Sequence, residues 1–164
     1  MTTQQHITHL TADAGRTVLV GADLVTFKMT GHQTGGQYSI FEVITPPLSG
    51  PPALHTHPAQ ETFYILEGEY EIYTLNADGP LTITAKPGSV VHVPGGVPRN
   101  YKNVSDKPAR ALLVFSPTDM EQFFAELGVP VADINNPPVL DGPPDMERFM
   151  AVCHKYQVAF VVPV

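Results

Sequence analysis

The chain has 164 residues, of which 43% are apolar and 15% charged, with a formal net charge of −7. That is enough apolar chain to bury one core without disulfides, and Cys153 is the single cysteine, so no internal disulfide and no CxxC zinc pattern can form. The acidic balance argues against a nucleic-acid or anionic-membrane surface, and no apolar run approaches the roughly 18 residues of a membrane helix.

In chain order, the first segment, Met1–His6, lacks the basic end and apolar block of a signal peptide, so a soluble cytoplasmic protein is expected. Seventeen prolines and thirteen glycines then punctuate short runs rich in Val, Ile, Thr, Tyr and Phe, the pattern of many short strands in a sandwich or barrel. Strands are expected at Thr17–Val20, Leu24–Met29, Gln37–Ile44, Glu61–Leu66, Tyr70–Leu75, Leu81–Ala85, Ser89–Val93, Arg99–Asn103 and Arg110–Phe115. Turns at Gly35-Gly36, Asp78-Gly79-Pro80, Lys86-Pro87-Gly88 and Pro94-Gly95-Gly96 separate them. A helix is expected from Thr118 to Leu127. Thr118 and Glu121 are spaced as a capping box, Met120, Phe123, Phe124 and Leu127 form an apolar stripe, and Gly128 and Pro130 stop it. Gly128–Pro144 reads as a Pro-rich surface linker. A second helix is expected over Asp145–Tyr156, with Met146, Phe149, Met150 and Cys153 inward, followed by Val158–Val162 as a strand or tail.

The chemistry concentrates in Pro51–Gly68. His55 and His57 are two apart, so on a strand both imidazoles face the same side. Glu61 follows after the turn Pro58-Ala59-Gln60, at the start of the next strand. Two imidazoles and a carboxylate on one face make a facial triad with open positions, suited to Fe, Mn, Ni, Cu or Zn. The same pair also occurs as ordinary surface histidines.

The full spacing, Gly50-(four)-His55-x-His57-(three)-Glu61-(six)-Gly68, resembles the first motif of the cupin superfamily, with the opening Gly one residue closer than usual. Gly88-(five)-Pro94-x-Gly96-(two)-Arg99-(three)-Asn103 resembles the second. The resemblance covers roughly Gly35–Phe115. More loosely, it extends through the two helices toward single-domain bacterial cupins similar to quercetin 2,3-dioxygenase. It implies an all-β fold: a double-stranded β-helix, or jelly-roll barrel, with a short C-terminal helical appendage. The expected organisation is one domain over 1–164, with a barrel core at about 17–116 and helices and tail at about 117–164. It also implies a homodimer with a metal inside the barrel, held by His55, His57 and Glu61.

The departure is Arg99, which stands where the second motif supplies a histidine ligand. A guanidinium is always protonated and has no lone pair to offer a cation. Three arrangements stay open. The metal binds through three ligands with Arg99 turned aside or gripping an anionic substrate; the metal is absent and Arg99 pairs with Glu61; or another group such as His92 replaces the ligand. By alternation, Phe63 and Ile65 share a face with Glu61, and Tyr101 shares one with Arg99, which is also the expectation for plain barrel filling. Tyr38 is a weaker candidate of this kind. His6, His9, His32 and His154 read as surface residues, and Cys153 and the methionines as packing.

The resemblance implies a metal-dependent dioxygenase or other oxidoreductase acting on a small phenolic or enolic molecule. In that account Glu61, Arg99 and Tyr101 are the catalytic candidates. The alternatives are a metal-free cupin that binds a sugar or organic acid without catalysis, and a metal-independent isomerase or cyclase.

Overall fold

A computed structural model describes residues 6–161, so Met1–Gln5 and the last part of the C-terminal apolar run, from Val162, lie outside the described residues. Twelve strands and three helices follow one another among them. The strands are β1 (Thr17–Val20), β2 (Asp23–Met29), β3 (Ser39–Thr45), β4 (His55–Thr56), β5 (Gln60–Glu67), β6 (Tyr70–Asn76), β7 (Gly79–Ala85), β8 (Val90–Val93), β9 (Arg99–Asn103), β10 (Ala109–Ser116), β11 (Val129–Val131) and β12 (Ala159–Phe160). The helices are α1 (Gly31–Thr34), α2 (Asp119–Leu127) and α3 (Met146–Lys155).

These strands form two antiparallel sheets, ordered β11-β1-β2-β3-β10-β5-β8 and β12-β4-β9-β6-β7. The alternation of the sequence decides which side of each faces inward. In β10, Ala109, Ala111, Leu113 and Phe115 are buried, and the residues between them are half-buried. In β5 the same alternation buries Glu61, Phe63 and Ile65 together. The core is aromatic at one end: Phe41 meets Phe27, Phe115 and Phe124 edge-to-face, with centroids 5.0, 5.7 and 5.1 Å away. Two motif glycines allow close backbone approach. A Cβ on Gly50 would sit 2.1 Å from the Tyr101 carbonyl oxygen of β9, and one on Gly68, at φ +78°, would sit 2.5 Å from Ala109 Cβ.

Several sequence expectations change. Residues 128–144 are not wholly linker: β11 lies within them and pairs with β1, Thr17 opposite Val131. α2 begins where expected but lacks the capping box. Thr118 makes no side-chain cap, and the Glu121 carboxylate accepts the Gly31 N–H at 2.6 Å rather than the N-cap N–H. α3 is rotated from the expected stripe. Val152 and Cys153 are buried and Phe149 and Tyr156 pack on the core, whereas Met146 and Met150 are exposed. The 149/152/153/156 spacing is itself a helical stripe, so the apolar face had two possible settings. The C-terminal apolar run does form a strand, β12, against β4.

Candidate functional site

β4, β5 and β9 bring the motif residues together. β4 and β9 pair with His55 opposite Arg99, and β5 presents Glu61 from its first inward position. His57, Glu61 and Arg99 form one buried cluster, at 2%, 4% and 0% exposure. Arg99 Nε lies 3.2 Å from Glu61 Oε2, Arg99 Nη2 lies 3.2 Å from His57 Nδ1, and His57 Nε2 lies 3.3 Å from the same Glu61 oxygen. Arg99 Nη2 also donates to the Ala59 carbonyl at 3.2 Å. His55 joins on the same side, its ring 6.2 Å from that of His57, with Nδ1 3.0 Å from the Ala53 carbonyl.

The partners assign the protons. Arg99 can only donate, so His57 Nδ1 accepts and carries no hydrogen. The ring proton is then on Nε2, directed at Glu61, and His57 is a neutral bridge between acid and guanidinium. His55 Nδ1 donates to Ala53, the only role a carbonyl partner allows. Burial lowers the His55 pKa, opposed by the Ala53 hydrogen bond and the Glu61 charge. Burial also pulls the Arg99 guanidinium down, against the attraction of Glu61.

The residues expected to hold a metal therefore converge, but the donor set does not fit one. Both His57 nitrogens are committed, and a guanidinium lies against His57 and Glu61. Only His55 Nε2 and the second Glu61 oxygen remain as lone-pair donors. No group of three or more His, Cys, Asp or Glu side chains suited to a metal occurs among the described residues. Arg99 is not turned aside: its guanidinium lies against Glu61 inside the barrel. Arg99 retains unused capacity: Nη1 is buried and has no partner, and the Nε–H, though close to Glu61, makes no aligned hydrogen bond.

His92 does not replace the missing ligand. It points outward from β8, where its Nδ1 lies 2.8 Å from Thr62 Oγ1, while Val91 and Val93 face in. Tyr101 is inward as expected, with its ring 5.7 Å from that of Phe63, but its hydroxyl is turned from the cluster and donates to Asp23 Oδ2 at 2.5 Å. Tyr38 is exposed, as are His6, His9, His32 and His154.

Asp23 is the residue that sequence reasoning missed. Burial raises its carboxyl to about 6, while hydrogen bonds from Tyr101 and Thr45 work against the shift. Its Oδ1 is buried without a partner. Tyr70 donates to Thr45 Oγ1 at 3.1 Å and closes the group. The signal was there: Asp23, Val25 and Phe27 alternate on one face, but a strand begun at Leu24 leaves Asp23 in the turn.

Two cavities lie away from the cluster. One of about 320 Å³ has Arg16, Gln33 and Glu121 in its wall, and one of about 500 Å³ runs beneath Leu48–Pro52, beside Tyr73 and Lys102.

Comparison with known proteins agrees with this architecture. The Cupin domain family model matches residues 41–115. No curated protein matches the chain by sequence. Among solved structures, the polyketide cyclase RemF from Streptomyces resistomycificus aligns with TM-score 0.57 and 17% identity, over 68% of this chain and 80% of that one. Oxalate decarboxylase from Bacillus subtilis aligns with TM-score 0.54 and 18% identity, over 67% of this chain and 31% of that one. An oxalate oxidase aligns with TM-score 0.51 and 21% identity over 59% of this chain, which spans about half, 52%, of that enzyme. At these identities the likeness is one of fold. Together with the two spaced motifs and the paired antiparallel sheets, the match identifies residues 41–115 as a cupin domain, and the solved structures agree with its fold.

Proposed function

We propose that this chain is a metal-independent cupin that takes a small organic anion, a carboxylate or an enolate, against Arg99. The observation that carries the reading is the placement of the guanidinium. It sits 3.2 Å from both His57 and Glu61 and keeps the buried, unpartnered Nη1 available. An unpaired donor on a buried cation is costly unless something accepts from it, and an anionic oxygen is the strongest acceptor. His57 and Glu61 share one proton beside that position. The same group thus has the parts to hold an acidic ligand and to receive or return its proton, as an isomerase or cyclase would need.

The test is calorimetric titration of the protein with acetate and benzoate in excess chelator, beside Arg99→Gln. The reading expects binding by the wild type and loss of at least about tenfold in the variant, the scale of one charge-assisted hydrogen bond. Binding that survives in Arg99→Gln, or binding that needs added metal, contradicts it.

A second reading keeps the metal: a dioxygenase or other oxidoreductase acting on a phenolic or enolic molecule, with Arg99 turned aside and His55, His57 and Glu61 as ligands. What favours it is the uncommitted His55 Nε2, held on the same side as His57 by the bond to Ala53. Elemental analysis of protein purified without chelator, before and after His57→Ala, separates the two. A stoichiometric metal that the variant loses supports the second reading.

A further inference from the structure

The cluster is sealed, since Arg99, His57 and Glu61 are each no more than 4% exposed. A ligand of the proposed class reaches them only if a wall moves, so this inference rests on that reading for its purpose, though not for its test. Most walls are held by long ladders. β10 pairs with β3 and with β5 at seven positions each, and β9 pairs with β6 at five positions. β12 differs. It is an edge strand of two residues, attached to β4 through Ala159 opposite Thr56 and Phe160 opposite His55. Among the described residues one further backbone bond, Val161 N–H to the Leu54 carbonyl at 2.9 Å, continues the pairing.

The side chains make this short strand part of the site. Phe160 packs beside His55, with ring centroids 6.3 Å apart, and against Phe149 of α3 at 5.8 Å. α3 itself is fixed. Val152 and Cys153 are buried, and Lys155 and Tyr156 both bond the Glu126 carboxylate of α2, at 2.6 and 2.7 Å. Between the fixed helix and the short strand stands Gln157, at φ +56°, a left-handed conformation that non-glycine residues rarely adopt. A few hydrogen bonds at a sheet edge, next to a backbone outlier, mark a segment that opens before the rest of the fold.

We infer that β12 is the detachable wall of the site: peeling Ala159–Val161 from β4 lifts the Phe160 ring off His55 and opens the approach to His57 and Arg99. The helix stays seated, and among the described residues the movement is confined to residues 158–161.

The test needs no ligand. Thr56 and Ala159 are directly opposed in the register, so Thr56→Cys with Ala159→Cys, in a Cys153→Ser background, can clamp the strand by a disulfide. Carbethoxylation by diethyl pyrocarbonate is then read at each histidine by peptide mass spectrometry. With the clamp oxidised, modification of His57 is expected to slow by about tenfold or more against the same protein reduced, while the outward His92 reacts equally in both. Phe160→Ala, which needs no cross-link, is expected to speed His57 modification several-fold. Equal His57 rates in the oxidised and reduced clamp, or a His57 that stays inert in Phe160→Ala while His92 reacts fully, would overturn the inference. Either result bears on the wall alone, since anion binding to Arg99 is measured separately.

Discussion

Among the buried polar side chains of the described residues, two ionisable groups solve the same physical problem differently. At one end, His57, Glu61 and Arg99 form a compensated set, a cation and an anion 3.2 Å apart with a neutral imidazole between them. At the other, Asp23 stands without a cation, supported by the hydroxyls of Tyr101 and Thr45 and pushed up to about 6 by burial. Both groups cost desolvation to bury, but only the first offsets it by setting opposite charges against each other. The difference teaches that the motif end is built to hold ions and the Asp23 end to tolerate a proton.

The sharpest break in this comparison is to strip one partner from the ion pair. Glu61→Leu leaves Arg99 buried without its counter-charge and is expected to cost about 3–5 kcal/mol in urea-monitored unfolding. The double variant Glu61→Leu/Arg99→Met removes both charges and is expected to recover most of that loss. If the single and double variants are equally destabilised, the pair is not the compensated unit described.

At the other end the sign reverses. The folded carboxyl of Asp23 titrates near 6, above the ordinary 3.8, so the folded state holds that proton more tightly than the unfolded chain does. Its contribution to stability is complete below about pH 4, is lost as pH rises toward 6 and stays flat above. Asp23→Asn keeps an acceptor for Tyr101 without the charge. It is expected to raise stability at pH 8 by up to about 3 kcal/mol, the equivalent of a shift of about two pH units, and to do nothing at pH 4. A variant that is destabilised equally at both pH values would contradict the assignment.

The next effect is local. Gly68 lies at φ +78° with Ala109 packed over it, so Gly68→Ala is expected to destabilise by about 1–3 kcal/mol in thermal unfolding, through both conformation and crowding. The smallest effect belongs to His92→Ala. An outward side chain with one hydrogen bond to Thr62 is expected to change stability by no more than about 0.5 kcal/mol and to leave anion binding unaltered.

How much of this was legible follows from periodicity. The nine long strands are near their expected places because alternation and glycine turns are local signals, and Glu61, Phe63 and Ile65 share the inward face that two-residue spacing gives them. The convergence of His55, His57 and Glu61 was readable from the motif spacing. What was not readable depended on partners distant in sequence. Glu121 abandons its helix cap for Gly31, 90 residues away. β11 exists only because β1 offers it an edge, and β12 only because β4 does. Tyr101 was correctly placed inside, yet the direction of its hydroxyl was set by Asp23, 78 residues away. The role of Arg99 stayed open because spacing puts a residue in a site without saying whether its charge replaces a ligand or turns aside.

Whether the His57–Glu61–Arg99 cluster takes a metal is tested most directly by isothermal titration of wild type and Arg99→His with Fe(II), Mn(II) and Zn(II), with elemental analysis of each. The account predicts that the wild type takes up no stoichiometric metal, while Arg99→His, which exchanges a fixed cation for a fourth lone-pair donor, binds close to one ion per chain. Stoichiometric binding by the wild type, weakened rather than created by the Arg99→His change, would contradict it.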